Sequence, residues 1–171
     1  VGRRAPHRVA RRGLAHVLED RALFRELSVD ENLRLGAAGQ AADVALAYDH
    51  FPQLADIRNR RAGLLSGGEQ QQLAIARAIT SRPRALMIDE MSLGLAPIVV
   101  ERILPVIRAI VADTGCGVLL VEQHVHLALG VADRAYVLAH GALVTHGAAA
   151  DLARDRALLE SSYLGAATLD G

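Results

Sequence analysis

The chain has 171 residues, 51% of them hydrophobic, enough for one domain of ordinary size with a buried core. Its 19 basic and 19 acidic residues cancel, so whole-chain charge argues neither for nucleic acid nor for an anionic membrane, and any anion site must be local. No apolar run approaches the roughly 18 residues that span a bilayer; the arginine-rich start lacks the apolar stretch of a signal peptide, and the lone Cys116 excludes an internal disulfide.

Every basic residue is arginine, since lysine is absent. The opening "VGRRAPHRVARRG" begins with Val1 rather than Met and reads as the middle of something, so the chain is expected to be a segment of a longer sequence. Its arginines read as a solvated face rather than a nucleic-acid arm. "GLAHVLED", residues 13–20, predicts a short apolar strand ending in acids. Ser28 and Glu31 have the spacing of a capping box, so a helix should start at Ser28. A helical style continues over 36–62, interrupted at "FPQL" by Pro52.

Ser66 and Glu69 repeat the capping-box spacing, and Leu73, Ala76 and Ile79, or Ala74 and Ala78, give the next helix a buried face to about Ser81. After the break at "SRPR" the punctuation becomes regular. A strand is predicted over 85–89, a loop through Gly94 and Pro97, a helix to Thr114, a strand over 117–122 and a helix near 125–132. "AYVLA" and "ALVTH" pair as a hairpin around His140-Gly141, and "AAADLARDRALLESSYL" is an amphipathic helix. Strands alternating with helices predict an α/β fold with a largely parallel sheet covered on both faces. Between Glu19 and Ser66 no strand signal appears, and about residues 28–82 read as a helical subdomain inserted into the α/β domain.

Two stretches carry chemistry. "ALMIDE" places Asp89 and Glu90 at the C-terminal end of a buried strand, where open α/β sheets bind ligands. An aspartate there can hold Mg²⁺ through water, and a neighbouring glutamate can orient or deprotonate an attacking water. "LSGGE" is the second: Gly67 and Gly68 allow close backbone approach, Ser66 offers a hydroxyl, and the exposed amides of a helix's first turn favour a phosphate. Either stretch alone is compatible with a site that binds nothing; together they are far more specific. His124 and His126 diverge by about 200° if they lie on a helix and cannot then share a metal ion. Cys116 reads as a small buried residue rather than a nucleophile.

In these residues the chain resembles the nucleotide-binding subunits of ABC transporters, whose signature motif is Leu-Ser-Gly-Gly-Gln/Glu and whose Walker B motif is four apolar residues, Asp and Glu. Leu65-Ser66-Gly67-Gly68-Glu69 and residues 85–90 match position by position. "LFRELSVDENLRLGA", "FPQL", "SLGLAPIVVERI", "LLVEQHVHLAL" and "ADRAYVLAHG" are similar to the ATPase subunits of branched-chain amino-acid importers. The resemblance implies a P-loop-NTPase-like fold and ATP with Mg²⁺ as cofactors in a complete dimer. It implies Mg²⁺ support from Asp89 and a catalytic carboxylate at Glu90. Glu19 would occupy the Q-loop position, Ser66, Gly67, Gly68 and Glu69 the signature facing a partner's ATP, and Gln123 the place where many relatives carry the switch histidine. Leu93-Gly94-Leu95-Ala96 would be the D-loop. Met91 replaces the usual proline after the Walker B glutamate, which is expected to loosen the start of that loop. The implied partners are a second ABC ATPase subunit and transmembrane permease subunits, with no nucleic acid; the implied location is the cytoplasmic face of the inner membrane.

The phosphate-cradling loop G-x-x-x-x-G-K-[ST] needs a lysine, and the 171 residues have none. The resemblance places that loop ahead of Glu19, together with the first strands. The expected function is therefore that of an ATP-hydrolysing subunit energising an ABC importer, with a chain that lacks the P-loop and is inactive alone. A non-catalytic or decayed fragment that only docks on a partner is the alternative. A DNA-repair ATPase of the same fold is disfavoured, because no heptads separate Glu19 from Ser66.

Overall fold

The computed structural model describes residues 5–36 and 41–155. The chain divides into two compact units, Val1–Gln123 and His124–Gly171.

In the first unit a short helix, α1 (Pro6–Ala10), precedes strand β1 (Leu14–Val17). Helices α2 (Val29–Arg34), α3 (Val44–His50) and α4 (Gln53–Asp56), then a 3-10 turn (Ala62–Leu64), lead to α5 (Gly67–Ile79). Strand β2 (Ala85–Asp89), α6 (Pro97–Thr114) and β3 (Gly117–Val121) complete it. The strands form a parallel sheet in the order β1-β2-β3, with Leu14 opposite Ala85 and Asp89 opposite Val121. Parallel pairing follows from the helical crossovers, which return the chain to the same end of the sheet each time.

Local chemistry sets the boundaries. Ser28 caps α2 and Ser66 caps α5, each in a complete capping box with the glutamate three residues on. Asp43 caps α3 through the Leu46 amide. Pro97 opens α6 at a position where its missing N–H is no loss, and Gly115, with φ of 68°, closes it. Leu73, Ile75 and Ile79 of α5, Ile103, Ile107 and Ile110 of α6, and Leu86 and Ile88 of β2 are buried. Helix α5 packs on β1, α2, α3 and α4, so the capped helix and the sheet share one core.

The second unit holds α7 (Val125–Val131), β4 (Arg134–Ala139), β5 (Ala142–Ala148) and α8 (Ala149–Leu152). β4 and β5 pair antiparallel around the His140-Gly141 turn, whose φ values of 49° and 77° suit a tight hairpin. Leu129, Ala149 and Leu152 form its core, with Val125, Ala132, Ala135 and Val137 against them.

One expectation, that of strands ending in acids, needs correction. The acids Glu19 and Asp20 lie in the turn beyond β1 rather than in the strand, and Glu122 lies beyond β3. Among the described residues β3 pairs with β2 alone, and its Leu119 and Val121 are 54% and 47% exposed. The C-terminal helix is seen only as α8; the rest of that stretch, residues 156–171, lies outside the described residues. Among the described residues no helix is long and apolar enough to cross a membrane.

Candidate functional site

The strand ends carry the first half of the site. Asp89 is the last residue of β2, and Glu90 follows it with φ of 44°, a left-handed conformation that a side chain with a β-carbon rarely takes. Its backbone N–H donates to the Val121 carbonyl at 3.0 Å, which continues the β2–β3 pairing one residue past the strand. The Gln123 side-chain amide donates to Glu90 Oε1 at 2.9 Å. The structure thus brings together Asp89, Glu90 and Gln123, three residues that the sequence singled out, at the C-terminal edge of the sheet.

Two residues there were missed. Glu122 Oε1 accepts the Ser92 backbone N–H at 2.9 Å, and Glu122 Oε2 accepts the Ser92 hydroxyl at 2.5 Å. An acid closing the strand in "LLVEQ", next to the acids closing the strand in "ALMIDE", was the only available signal. Met91 is 1% exposed, and Ser92 beyond it is fastened by Glu122.

The second half is the turn at the start of α5. Ser66 Oγ accepts the Glu69 amide at 3.3 Å, and Glu69 Oε2 accepts the Ser66 amide at 2.7 Å. That bond from the Ser66 backbone N–H, with a smaller contribution from the Ser66 side chain, holds the Glu69 carboxyl below its ordinary range against partial burial. The Glu69 carboxylate is therefore occupied in capping. The first-turn amides of Gly67 and Gly68, which have no partner within a helix, are the groups an anion can reach.

The glycines also have a packing role. A β-carbon on Gly68 would stand 2.8 Å from Val99 Cγ1, and one on Gly67 3.4 Å from Leu95 Cδ2. The turn consequently lies against the loop and helix that follow Glu90. Arg21 ties the same parts together: its Nε donates to Gln71 Oε1 at 2.9 Å, while Nη1 and Nη2 lie 3.5 Å from Gln70 Oε1 and 3.4 Å from the Leu93 carbonyl. Arg77 of α5 returns a contact to the Arg21 carbonyl at 3.4 Å, and its guanidinium lies 5.5 Å from the Phe24 ring centre. Burial lowers the Arg77 pKa. Glu19 is exposed on this post-β1 loop, two residues before Arg21.

Cys116, His124 and His126 are the remaining candidates. Cys116 is 2% exposed, and burial pushes its thiol up, away from the reactive thiolate. His124 precedes α7 and His126 lies within it. Among the described residues no group of three or more His, Cys, Asp or Glu side chains could hold a metal ion.

Comparison with known proteins fits this geometry. A family model described as ABC transporter matches residues 3–92. The high-affinity branched-chain amino acid transport ATP-binding protein BraG of Pseudomonas aeruginosa is 41% identical over 162 residues, covering 92% of this chain and 69% of that protein. The probable branched-chain amino acid transport ATP-binding protein LivF of Archaeoglobus fulgidus is 37% identical, covering 86% of this chain and 64% of that protein. The crystal structure of an ATP-binding cassette of an ABC transporter in its ADP conformation superposes with a TM-score of 0.76 at 21% identity, over 95% of this chain and 72% of that one. This last likeness bears on the fold alone. The chain belongs to the ABC transporter family of ATP-binding proteins, and it spans about two thirds of the length of the curated relatives it matches.

The residues present fit a Mg²⁺–nucleotide on the carboxylate side. Asp89 is half-buried at a strand end beside Glu90, and Mg²⁺ is characteristically held by one or two carboxylates together with phosphate oxygens. On the phosphate side the chain offers the first turn of α5 and no lysine.

Proposed function

We propose that this chain contributes the signature turn and the hydrolytic carboxylates of an ATP-hydrolysing subunit that energises an ABC importer of branched-chain amino acids. The observation that carries the reading is the pairing of Glu90 with Gln123 at the sheet edge, while the Ser66-capped helix packs close behind the same loop. Asp89 would hold Mg²⁺, whose charge would offset that of the phosphates when bound. Glu90 would orient the attacking water and accept its proton, with Gln123 holding one carboxylate oxygen so that the other faces the water. Ser66, Gly67 and Gly68 would close over the ATP of a second ABC ATPase subunit, and Glu69 would keep their turn in shape.

Glu19, exposed beside the Arg21 anchor, would report to transmembrane permease subunits, with the helical insertion over about 28–82 as the docking subdomain. Such a subunit works peripherally, on the cytoplasmic face of the membrane. The import assignment rests on the likeness to BraG and LivF.

The absent lysine supports a further part of the reading: the 171-residue chain does not turn over ATP by itself. Without a phosphate loop it forgoes several charge-assisted hydrogen bonds, each contributing about 1.5–3 kcal/mol. It can still serve a partner, and that is the test. The chain is mixed with an ABC ATPase subunit that carries G-x-x-x-x-G-K-[ST] and whose Walker B glutamate has been changed to glutamine. Sedimentation should show a complex that forms with ATP and not without it, and that Ser66→Arg abolishes while circular dichroism stays unchanged. Association that ignores ATP or Ser66→Arg would refute the assignment.

A further inference from the structure

Beside Asp89 and Glu90 the sheet edge carries a further acid, Glu122. Glu122 is the first residue beyond β3, and both of its oxygens are used on a single residue, Ser92. Ser92 is 6% exposed while Glu122 is half-buried, so the donors, not the carboxylate, are the shielded side of the pair. A carboxylate that accepts two bonds from one residue fixes that residue's position and its orientation together.

Glu90 stands two residues before Ser92 with φ of 44°. A left-handed non-glycine residue persists only where its surroundings over-determine it. Three consecutive residues at the end of β3 supply the restraint. Val121 accepts the Glu90 amide at 3.0 Å, ahead of the turn. Glu122 grips Ser92 after it, and the intervening Met91 is buried, which leaves no slack between them. Gln123 takes the Glu90 side chain itself at 2.9 Å.

We propose that Glu122 is a positioning residue: by accepting both the N–H and the O–H of Ser92 it maintains the left-handed turn at Glu90 and so aims the Glu90 carboxylate at Gln123. The proposal rests on the reading of Glu90 as the residue that handles the attacking water. Glu122 touches no reacting atom; it acts through the backbone of residues 90–92.

The test uses NMR of the 171-residue chain, with the Gln123 side-chain amide and the Ser92 backbone amide as reporters. Glu122→Ala should move the Gln123 resonances towards those of a solvated glutamine and speed exchange of the Ser92 amide at least tenfold, while the amides of Ile75 and Ile110 exchange as in the parent. Glu122→Gln, which keeps one acceptor oxygen, should recover part of the shift. Ser92→Ala deletes only the hydroxyl donor; should Glu122→Ala fail to fold, Ser92→Ala decides, with a smaller movement in the same direction. A Gln123 resonance unmoved in the variants that fold would overturn the proposal and leave Glu122 a staple for the loop.

A kinetic arm reads the consequence. In a hybrid that joins a leading segment containing G-x-x-x-x-G-K-[ST] from a relative ahead of Val1, Glu122→Ala should lower kcat for ATP at least tenfold with KM within twofold. An unchanged kcat overturns the positioning role. A parent hybrid without turnover counts against the functional reading and not against the positioning, since the resonance measurement needs no nucleotide.

Discussion

Val99 Cγ1 lies 2.8 Å from the point where a β-carbon on Gly68 would stand, closer than real β-carbons approach a neighbour. The second glycine of the signature turn is therefore required by packing against α6, whatever it does for a ligand. At Gly67 the equivalent distance, to Leu95 Cδ2, is 3.4 Å, an ordinary contact. Gly68→Ala should destabilise the chain by about 1–3 kcal/mol, in the range of overpacking. Gly67→Ala should be near neutral. Urea midpoints of the two variants check the contrast, and equal midpoints would contradict it.

Asn32 is completely buried and holds four backbone groups. Its Oδ1 accepts the Phe24 amide at 3.0 Å, and its Nδ2 lies 3.0, 3.3 and 2.9 Å from the carbonyls of Phe24, Leu27 and Ser28. This side chain is the internal scaffold of the loop that carries Glu19 and Arg21 into α2. Asn32→Ala leaves those groups without their partner and should cost about 2–3 kcal/mol. Asn32→Asp should fare no better, since it replaces the donor that faces three carbonyls with an acceptor. Chemical denaturation gives the magnitude, and faster amide exchange in residues 24–28 would show where the loss falls.

Both capping boxes make acid a destabilising condition. The Ser28 side chain, then its backbone N–H, holds the Glu31 carboxyl low. For Glu69 the Ser66 backbone N–H leads. A carboxyl with a lowered folded pKa contributes stability that is intact above its ordinary value of 4.5 and drains away as pH falls through the lower folded value. Glu69→Gln should therefore be less stable than the parent at about pH 7, with the gap narrowing steadily as pH falls below the ordinary carboxyl value and through the lower folded one. A stability gap that stays constant across that range would contradict the capping role.

These examples show what a linear sequence can reveal. Helix starts at Ser28 and Ser66, the strand that ends at Asp89 and the hairpin turn at His140-Gly141 depend on residues within a few positions of one another, so spacing alone exposes them. Asp89 and Glu90 stand in one short motif and Gln123 was singled out by family resemblance; the structure brings Glu90 and Gln123 into contact. Arg21 with Gln71, Glu122 with Ser92, and Gly68 with Val99 are separated by tens of positions and meet only when the sheet assembles. No periodicity encodes such pairs.

Arg21 offers a prediction of the same long-range kind. Gln71 is 2% exposed; its Oε1 is satisfied by Arg21, while its Nε2 has no hydrogen-bond partner among the described residues. Arg21→Ala should therefore cost more than an ordinary half-exposed arginine, about 1–3 kcal/mol, because it strands the remaining buried polar atom of Gln71. Gln71→Leu in the Arg21→Ala background should recover much of that loss, which a double-mutant cycle measures directly.

Central to the proposed function is Glu90 as the hydrolytic carboxylate, acting on a nucleotide held by a leading segment with the phosphate loop. Steady-state phosphate release answers it most directly, measured on the purified 171-residue chain and on the hybrid with a leading G-x-x-x-x-G-K-[ST] segment. The predicted result is no turnover by the chain alone, turnover by the hybrid, and loss of that turnover by at least about a hundredfold in Glu90→Gln, an effect of the size general-base catalysis contributes. Turnover by the isolated chain, or a hybrid indifferent to Glu90→Gln, would contradict the account.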